Sequence, residues 1–194
     1  DGYEVTVFEK TDRPGGRAST IEEEGYFFDT GPSLFLMPPT YEQTYTDLGE
    51  RISDHLDLVR IDPTYRVHFN DGSVLNLTSN MHELHNQLER FEPGSFEALM
   101  RFLADGHKRY TQSLDKFVGR NFYHLLEFFS PINLPLLFQL KPLVRHYAEI
   151  SRHFKDSRLR AGLSFQNMCL GLSPYDAPAT YTLLQYTEMV EGRS

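Results

Sequence analysis

The sequence predicts an α/β fold in three parts, and three observations predict it. Residues 1–35 contain two short β-branched and aromatic runs, each followed by an acid and glycines. Residues 56–77 alternate between apolar and polar side chains, as half-buried strands do. From about residue 81 to residue 160 the apolar positions recur at helical spacing.

Composition and charge exclude several classes of protein. The chain has 194 residues, of which 40% are hydrophobic and 24% charged, a mixture typical of globular domains. Its formal net charge of -8 gives no attraction to a phosphate backbone, so nucleic acid is not an expected partner. The single cysteine, Cys169, permits no internal disulfide and fits a reducing, cytoplasmic location.

The first predicted strand covers residues 3–8 and ends at Glu9. In nucleotide-binding α/β sheets, an acid at this place accepts hydrogen bonds from an adenosine ribose. Gly15, Gly16 and Arg17 follow, where the backbone can approach a pyrophosphate and the guanidinium can pair with it. The alternative is a strand that ends in a solvated glutamate, followed by a plain glycine turn.

A polar hairpin signal at residues 21–25 precedes a second strand, residues 26–29, which ends in an Asp-x-Gly turn at Gly31. Acid, Gly-Gly-Arg and Asp-x-Gly in this order resemble the second part of the FAD fingerprint of flavin amine-oxidase-like enzymes. Within that group the chain is most similar to the bacterial and fungal phytoene desaturases. Residues 171–188 carry the most discriminating likeness, because general amine oxidases share the flavin motifs but not this segment.

Two features of that family do not occur in the sequence: the G-x-G-x-x-G dinucleotide loop and the glycine-rich C-terminal flavin segment. We therefore expect the chain to be a fragment of a longer protein that lacks both ends, and one that by itself holds flavin poorly or not at all.

The resemblance implies FAD as cofactor and assigns candidate residues to it and to the substrate. The flavin candidates are Glu9 at the ribose, Gly15, Gly16 and Arg17 along the pyrophosphate and ribityl chain, and Gly31, Pro32 and Ser33 near the flavin ring. The candidates for the substrate-channel wall are Phe165, Tyr175 and Tyr181. No residue is assigned as proton acceptor.

The resemblance also implies the activity: desaturation of a long apolar polyene, phytoene or a related carotenoid precursor, by hydride transfer to the flavin. A quinone or oxygen is the implied electron acceptor. Two alternatives remain open, a flavin-dependent carotenoid isomerase and a non-catalytic, membrane-associated carotenoid-binding protein. Product analysis separates them by added double bonds, altered cis/trans geometry or unchanged lipid.

The resemblance adds a fourth portion, at the end of the chain, to the three parts given above. The four portions are part of a Rossmann-like FAD-binding domain (1–35), a β-rich substrate portion (36–80), an inserted helical, membrane-associating subdomain (81–160) and a substrate-channel segment (161–194).

Within the β-rich portion, Thr40 is predicted to cap a helix that ends at Gly49. Strands are predicted at 56–61, 65–69 and 73–77, with an Asn-Asp-Gly turn between the last two.

The helical portion contains an apolar segment, residues 122–140, that is too interrupted to span a bilayer. Pro131 and Pro135 are predicted to break it into two parts. Residues 107–160 carry ten Lys and Arg against four acids. An apolar patch with a basic rim predicts a peripheral contact with a membrane surface, and a buried helical pair is the alternative.

Histidine spacing gives little support for a metal site. His82 and His85 are three residues apart, but no third ligand follows from spacing, so a solvated helix surface is expected and no metal.

Overall fold

The computed structural model describes residues 2–31, 35–114, 116, 120–131, 133–169 and 171–191. Over these residues the backbone combines helices with two small antiparallel sheets. The chain divides into two compact units, Asp1–Phe35 and Leu36–Ser194.

The first unit contains the predicted hairpin. Strand β1 (Thr20–Glu23) pairs antiparallel with β2 (Tyr26–Asp29), so that Thr20 lies opposite Asp29. The two turn residues, Glu24 and Gly25, both have positive φ angles, 52° and 83°. Two-residue turns of this kind match the right-handed twist of the strands that they join.

The predicted strand at residues 3–8 is not formed. Tyr3 and Phe8 are 86% and 93% exposed, and within the described part of the chain no segment pairs with this run. A strand is stable only where a neighbour supplies hydrogen bonds to its backbone. For the same reason the parallel sheet of a Rossmann-like domain is absent from the described residues, where both sheets are antiparallel hairpins.

The second unit begins with α1 (Pro38–Asp47), which ends before Gly49 as predicted. The predicted cap at Thr40 is wrong, since the N-cap is Met37 and two prolines occupy the first turn. Proline is tolerated there because the first N–H groups of a helix have no intrahelical partner.

Two of the three predicted strands form, β3 (Tyr65–His68) and β4 (Val74–Leu77). They pair antiparallel around the Asn-Asp-Gly turn, with His68 opposite Val74. The predicted strand at residues 56–61 is wrong, because no described segment pairs with it and Val59 is 70% exposed.

Two long helices follow, α2 (Met81–Phe91) and α3 (Ser95–Ser113). Asn80 caps α2 by accepting a hydrogen bond from the backbone N–H of Glu83. The predicted apolar side of α3 is confirmed, with Leu99 and Leu103 buried.

The rest of the second unit consists of short helices. They are α4 (Leu125–Phe128), α5 (Leu134–Leu140), α6 (His146–Ile150), α7 (Ser157–Ser164), α8 (Gln166–Cys169) and α9 (Thr182–Tyr186). The apolar segment is interrupted as predicted, but only near Pro131. Pro135 does not interrupt it, because it lies in the first turn of α5.

The core of the second unit lies where β4, α2, α3 and α7 meet. Its fully buried members include Leu75, Leu84, Leu99, Phe102 and Leu163. Helix α7 packs so closely on β4 that a Cβ atom added to Gly162 would lie 2.7 Å from Leu75 Cδ2.

Candidate functional site

In the first unit, the Glu9 carboxylate is held by hydrogen bonds from Thr11, two residues further along the chain. Its Oε1 accepts hydrogen bonds from the backbone N–H and the hydroxyl of Thr11, both at 2.9 Å. These bonds, the backbone bond first, lower the pKa of Glu9, and burial opposes them only weakly. Both of these bonds fall on Oε1, so this exposed carboxylate is ionised and its Oε2 is not held by Thr11.

The Gly-Gly-Arg run forms a tight turn. Gly15 has a backbone φ of 123°, a value that residues with a side chain rarely adopt. Its carbonyl accepts a hydrogen bond from Ala18 N–H at 2.9 Å. Gly16–Ala18 form a single 3₁₀ turn, and the Arg17 side chain is exposed. The turn therefore presents bare backbone and the Arg17 cation to the solvent.

Gly31 packs directly against this turn. A Cβ atom at residue 31 would lie 1.9 Å from the carbonyl oxygen of Arg17, so no other residue fits without movement of the backbone. The approach is fixed by a hydrogen bond from Thr30 N–H to the Ser19 carbonyl at 2.9 Å. Two of the sequence-predicted flavin residues are thus in contact, while Pro32 and Ser33 lie outside the described residues.

A cavity of about 340 Å³ lies beside the turn. Of the predicted flavin residues that the structure describes, Gly16 alone lines it. The sequence interpretation missed Thr11 and Arg13, which also line this cavity. A signal for Thr11 was present, because it follows Glu9 by two residues, a spacing typical of a hydrogen bond from a backbone N–H to a side chain.

A second cavity, of about 560 Å³, lies in the second unit and is called the aromatic cavity below. It brings together two predicted substrate residues, Phe165 and Tyr175. The Tyr175 ring lies 4.6 Å from that of Tyr147, and the Phe165 ring lies 5.4 Å from that of Tyr65. Tyr181 does not line this cavity. It is half-buried in a 3₁₀ turn.

The sequence interpretation missed part of this wall, including Tyr147, Val67 and Phe69. The signal for the last two was present, because alternate residues of a strand lie on one face and Val67 and Phe69 are two apart.

Backbone hydrogen bonds join the two sides of the aromatic cavity. His146 N–H donates to the Ala177 carbonyl at 2.7 Å, and Tyr147 N–H donates to the Pro174 carbonyl at 3.1 Å. The fully buried His146 ring is also bonded through Nδ1 to Nδ2 of Asn167 at 2.6 Å. His146 therefore links the segment that carries Tyr175 to the helix that follows Phe165.

The charge at the edge of the aromatic cavity is already neutralised. Arg158 contacts both oxygens of Asp156 and donates to Asp71 at 2.7 Å. Its guanidinium also lies 4.8 Å from the centre of the Phe91 ring. What remains for a ligand is mainly aromatic and aliphatic surface.

The apolar segment presents large side chains to the solvent. We call the following residues, all at least 40% exposed, the apolar patch: Tyr123, Leu126, Phe129, Leu134, Phe138 and Leu143. Phe128 is only half-exposed, because its ring packs between those of Phe122 and Phe129. No helix in the described part of the chain is long and apolar enough to cross a membrane.

No group of three or more metal-ligating side chains could hold a metal ion in the described ranges. The Nε2 atom of His82 lies 3.1 Å from the Asn86 amide on the exposed surface of α2.

The family model described as flavin containing amine oxidoreductase matches residues 1–193. The chain belongs to this family. A zeta-carotene-forming phytoene desaturase from Myxococcus xanthus is 47% identical over 191 residues, which are 98% of this chain and 37% of that protein. A phytoene desaturase from Phycomyces blakesleeanus is 38% identical over 99% of this chain and 33% of its own length.

A 4,4'-diapophytoene desaturase from Staphylococcus haemolyticus is 31% identical over 98% of this chain. The chain thus spans about a third of the length of the curated relatives it matches. Membership of the flavin amine oxidoreductase family accords with the turn at Gly15 and the close approach of Gly31 to Arg17.

Proposed function

We propose that the full-length protein carrying this chain is an FAD-dependent desaturase of a long apolar polyene, phytoene or a related carotenoid precursor. The aromatic cavity carries this proposal, because its walls are mainly apolar and its arginine is paired with Asp156 and Asp71. A polyene offers neither charge nor hydrogen-bonding groups, so it is held by apolar contact alone. The printed names of the relatives support the same class of substrate.

For the cofactor, we propose that Glu9, Gly15, Gly16 and Arg17 contact FAD. The ionised Glu9 accepts hydrogen bonds from ribose hydroxyls, and Arg17 pairs with the pyrophosphate where the glycine turn lets the backbone come close. When bound, the flavin would act as the acceptor of a hydride from an allylic carbon of the polyene. Gly31 holds the Arg17 turn in place, and the predicted roles of Gly31, Pro32 and Ser33 at the flavin ring remain part of the proposal.

The chain's own contribution at the second site is to position the substrate and exclude water. Phe165 and Tyr175 both line the aromatic cavity, and we propose that they, with Tyr181 further along the same segment, wall the substrate channel. The portions 36–80, 81–160 and 161–194 then correspond to a β-rich substrate portion, a membrane-associating insertion and the channel segment.

A cavity-filling substitution tests the site. Ala161 lines the aromatic cavity, so Ala161→Phe in the full-length protein occupies space that the substrate needs. We expect product formation from a colourless polyene in liposomes to fall at least tenfold at low substrate, with unchanged flavin content. The matched control is Ala104→Phe, at an exposed position on α3.

Equal losses in both variants, or none in Ala161→Phe, would place the substrate elsewhere. Products that differ only in cis/trans geometry would favour the isomerase, and unchanged lipid the binding protein.

We also propose that the apolar patch contacts a membrane surface, from which the protein draws its water-insoluble substrate. Leu126, Phe138 and Leu143 are 85%, 80% and 97% exposed, a degree that soluble surfaces tolerate singly but rarely in a cluster. The basic excess of residues 107–160 complements anionic headgroups. A cytoplasmic, peripheral location and a membrane quinone or oxygen as electron acceptor belong to the same proposal.

Flotation with liposomes tests this contact. Replacing Leu126, Phe138 and Leu143 by Ser should abolish most salt-resistant flotation, because apolar insertion is not screened by salt. The control replaces two exposed apolar residues outside the patch, Leu48 and Val59, by Ser. Flotation that survives the triple change, with an intact fold, would contradict a membrane contact at this patch.

A further inference from the structure

The buried carboxylate of Glu149, in the second unit, is surrounded by three cations. Glu149 is 1% exposed, and its Oε1 accepts hydrogen bonds from Arg109 at 2.8 Å and from Lys141 at 2.5 Å. Its Oε2 accepts from Arg152 at 3.0 Å. Burial alone would raise the pKa of Glu149, but the bonds from Lys141 and Arg109 hold it at about 2. The carboxylate therefore stays ionised.

The three cations exceed the charge of the carboxylate by two. Arg109 is itself buried, so it serves to neutralise Glu149 inside the protein. The side chains of Lys141 and Arg152 are 30% and 60% exposed, and each contacts a different oxygen of the Glu149 carboxylate, so both charged ends are held at the same group. An ammonium has three N–H donors and a guanidinium five, and most of these stay available for another acceptor.

One member of this pair, Lys141, is next to residues of the apolar patch along the chain. Lys141 ends helix α5 with a left-handed backbone, φ 50°, three residues after Phe138 and two before Leu143. Those two apolar neighbours are 80% and 97% exposed. A fixed cationic pair flanked by solvent-facing apolar side chains matches the layout of a phospholipid, whose phosphate lies next to its acyl chains.

We propose that Lys141 and Arg152, both held by Glu149, bind the phosphate of an anionic phospholipid headgroup. The inference rests on the proposed membrane contact and adds to it a defined headgroup site. Glu149 acts here as a positioning residue, because it accepts a hydrogen bond from each cation and leaves their other donors for charge-assisted hydrogen bonds to a phosphate.

Vesicle flotation of the full-length protein tests the site, using phosphatidylcholine alone and phosphatidylcholine mixed with phosphatidylglycerol. We expect the wild type to prefer the anionic vesicles, and the double variant Lys141→Gln/Arg152→Gln to lose about tenfold or more of that preference. Binding to phosphatidylcholine alone should persist, since it depends on the apolar patch. Lys141→Arg/Arg152→Lys should retain the preference.

The matched control removes two exposed positive charges outside residues 107–160, Arg60→Gln/Arg66→Gln, and should change the preference less than about twofold. An equal loss in the control, or an unchanged preference in Lys141→Gln/Arg152→Gln, would overturn the headgroup site and leave the membrane contact standing. No flotation of the wild type on either vesicle would overturn both. Should the double variant fail to fold, Arg152→Gln alone must still lower the preference several-fold.

Discussion

Gly31 and Arg17 come from two separate motifs, and at the scale of single residues they prove to depend on each other. The sequence placed both near a flavin, but it gave no sign that residue 31 has no space for a β-carbon. Only the close approach to the Arg17 carbonyl reveals this, because that contact joins residues fourteen positions apart in the chain.

We expect Gly31→Ala to lower flavin retention severely in the full-length protein, because the new Cβ would meet the Arg17 carbonyl at 1.9 Å and displace the turn. Gly25→Ala is the control. Its backbone is left-handed, φ 83°, which that of Gly31 is not, but the space around it is open, so Gly25→Ala should cost about 1 kcal/mol. Flavin absorption after gel filtration measures the result, and similar retention in both variants would contradict this role for Gly31.

His146 supplies a second prediction at this scale. Complete burial lowers the pKa of its imidazole from 6.5 to about 4. As the pH falls through 6.5, the unfolded chain gains a proton that the folded chain does not take up until about pH 4. The contribution of His146 to the free energy of unfolding should therefore be fully present above pH 6.5. The free energy of unfolding should decrease by about 2 kcal/mol between pH 7 and pH 5.

Denaturant unfolding at these two pH values checks this expectation. His146→Gln should remove most of the decrease. His153→Gln should remove less, because burial also lowers the pKa of His153 but that ring is not fully buried. A decrease of the same size in wild type and His146→Gln would show that another group is responsible.

At the scale of elements, the sequence predicted correctly those features that depend on neighbouring residues alone. The hairpins at residues 20–29 and 65–77 and the end of α1 before Gly49 follow from turn residues and alternation. Residues 3–8 and 56–61 carry equally good strand patterns and form no strand, because a strand also needs a partner that the pattern does not contain. The aromatic cavity was predicted in part, since Tyr147 joins Tyr175 only through long-range packing.

The contact between α3 and α9 depends on a small residue. A Cβ atom at Gly106 would lie 3.0 Å from Tyr186 Cβ and 3.5 Å from the Thr182 carbonyl oxygen. Gly106→Val should therefore lower the free energy of unfolding by about 2 kcal/mol or more through overpacking. Ala104→Val, at an exposed position of the same helix, should cost about 0.5 kcal/mol. Equal costs in thermal unfolding would mean that the two helices separate readily.

At the scale of the whole molecule, the two units carry different halves of the proposed chemistry. The first presents an exposed carboxylate and a glycine turn, and the second contains an apolar cavity and an apolar, basic surface. The family and class of reaction could be inferred from motifs spread along the chain. The cation cluster around Glu149 could not, because its members come from three elements.

The central claim is that the full-length protein removes hydride from an apolar polyene and gives it to its flavin. The most direct measurement is anaerobic mixing of the flavin-loaded protein with phytoene in liposomes, followed by absorption spectroscopy and product analysis. The account predicts loss of the oxidised flavin absorption, matched mole for mole by new carbon–carbon double bonds that extend conjugation. Bleaching without new double bonds, or products that keep the original number of double bonds, would contradict it.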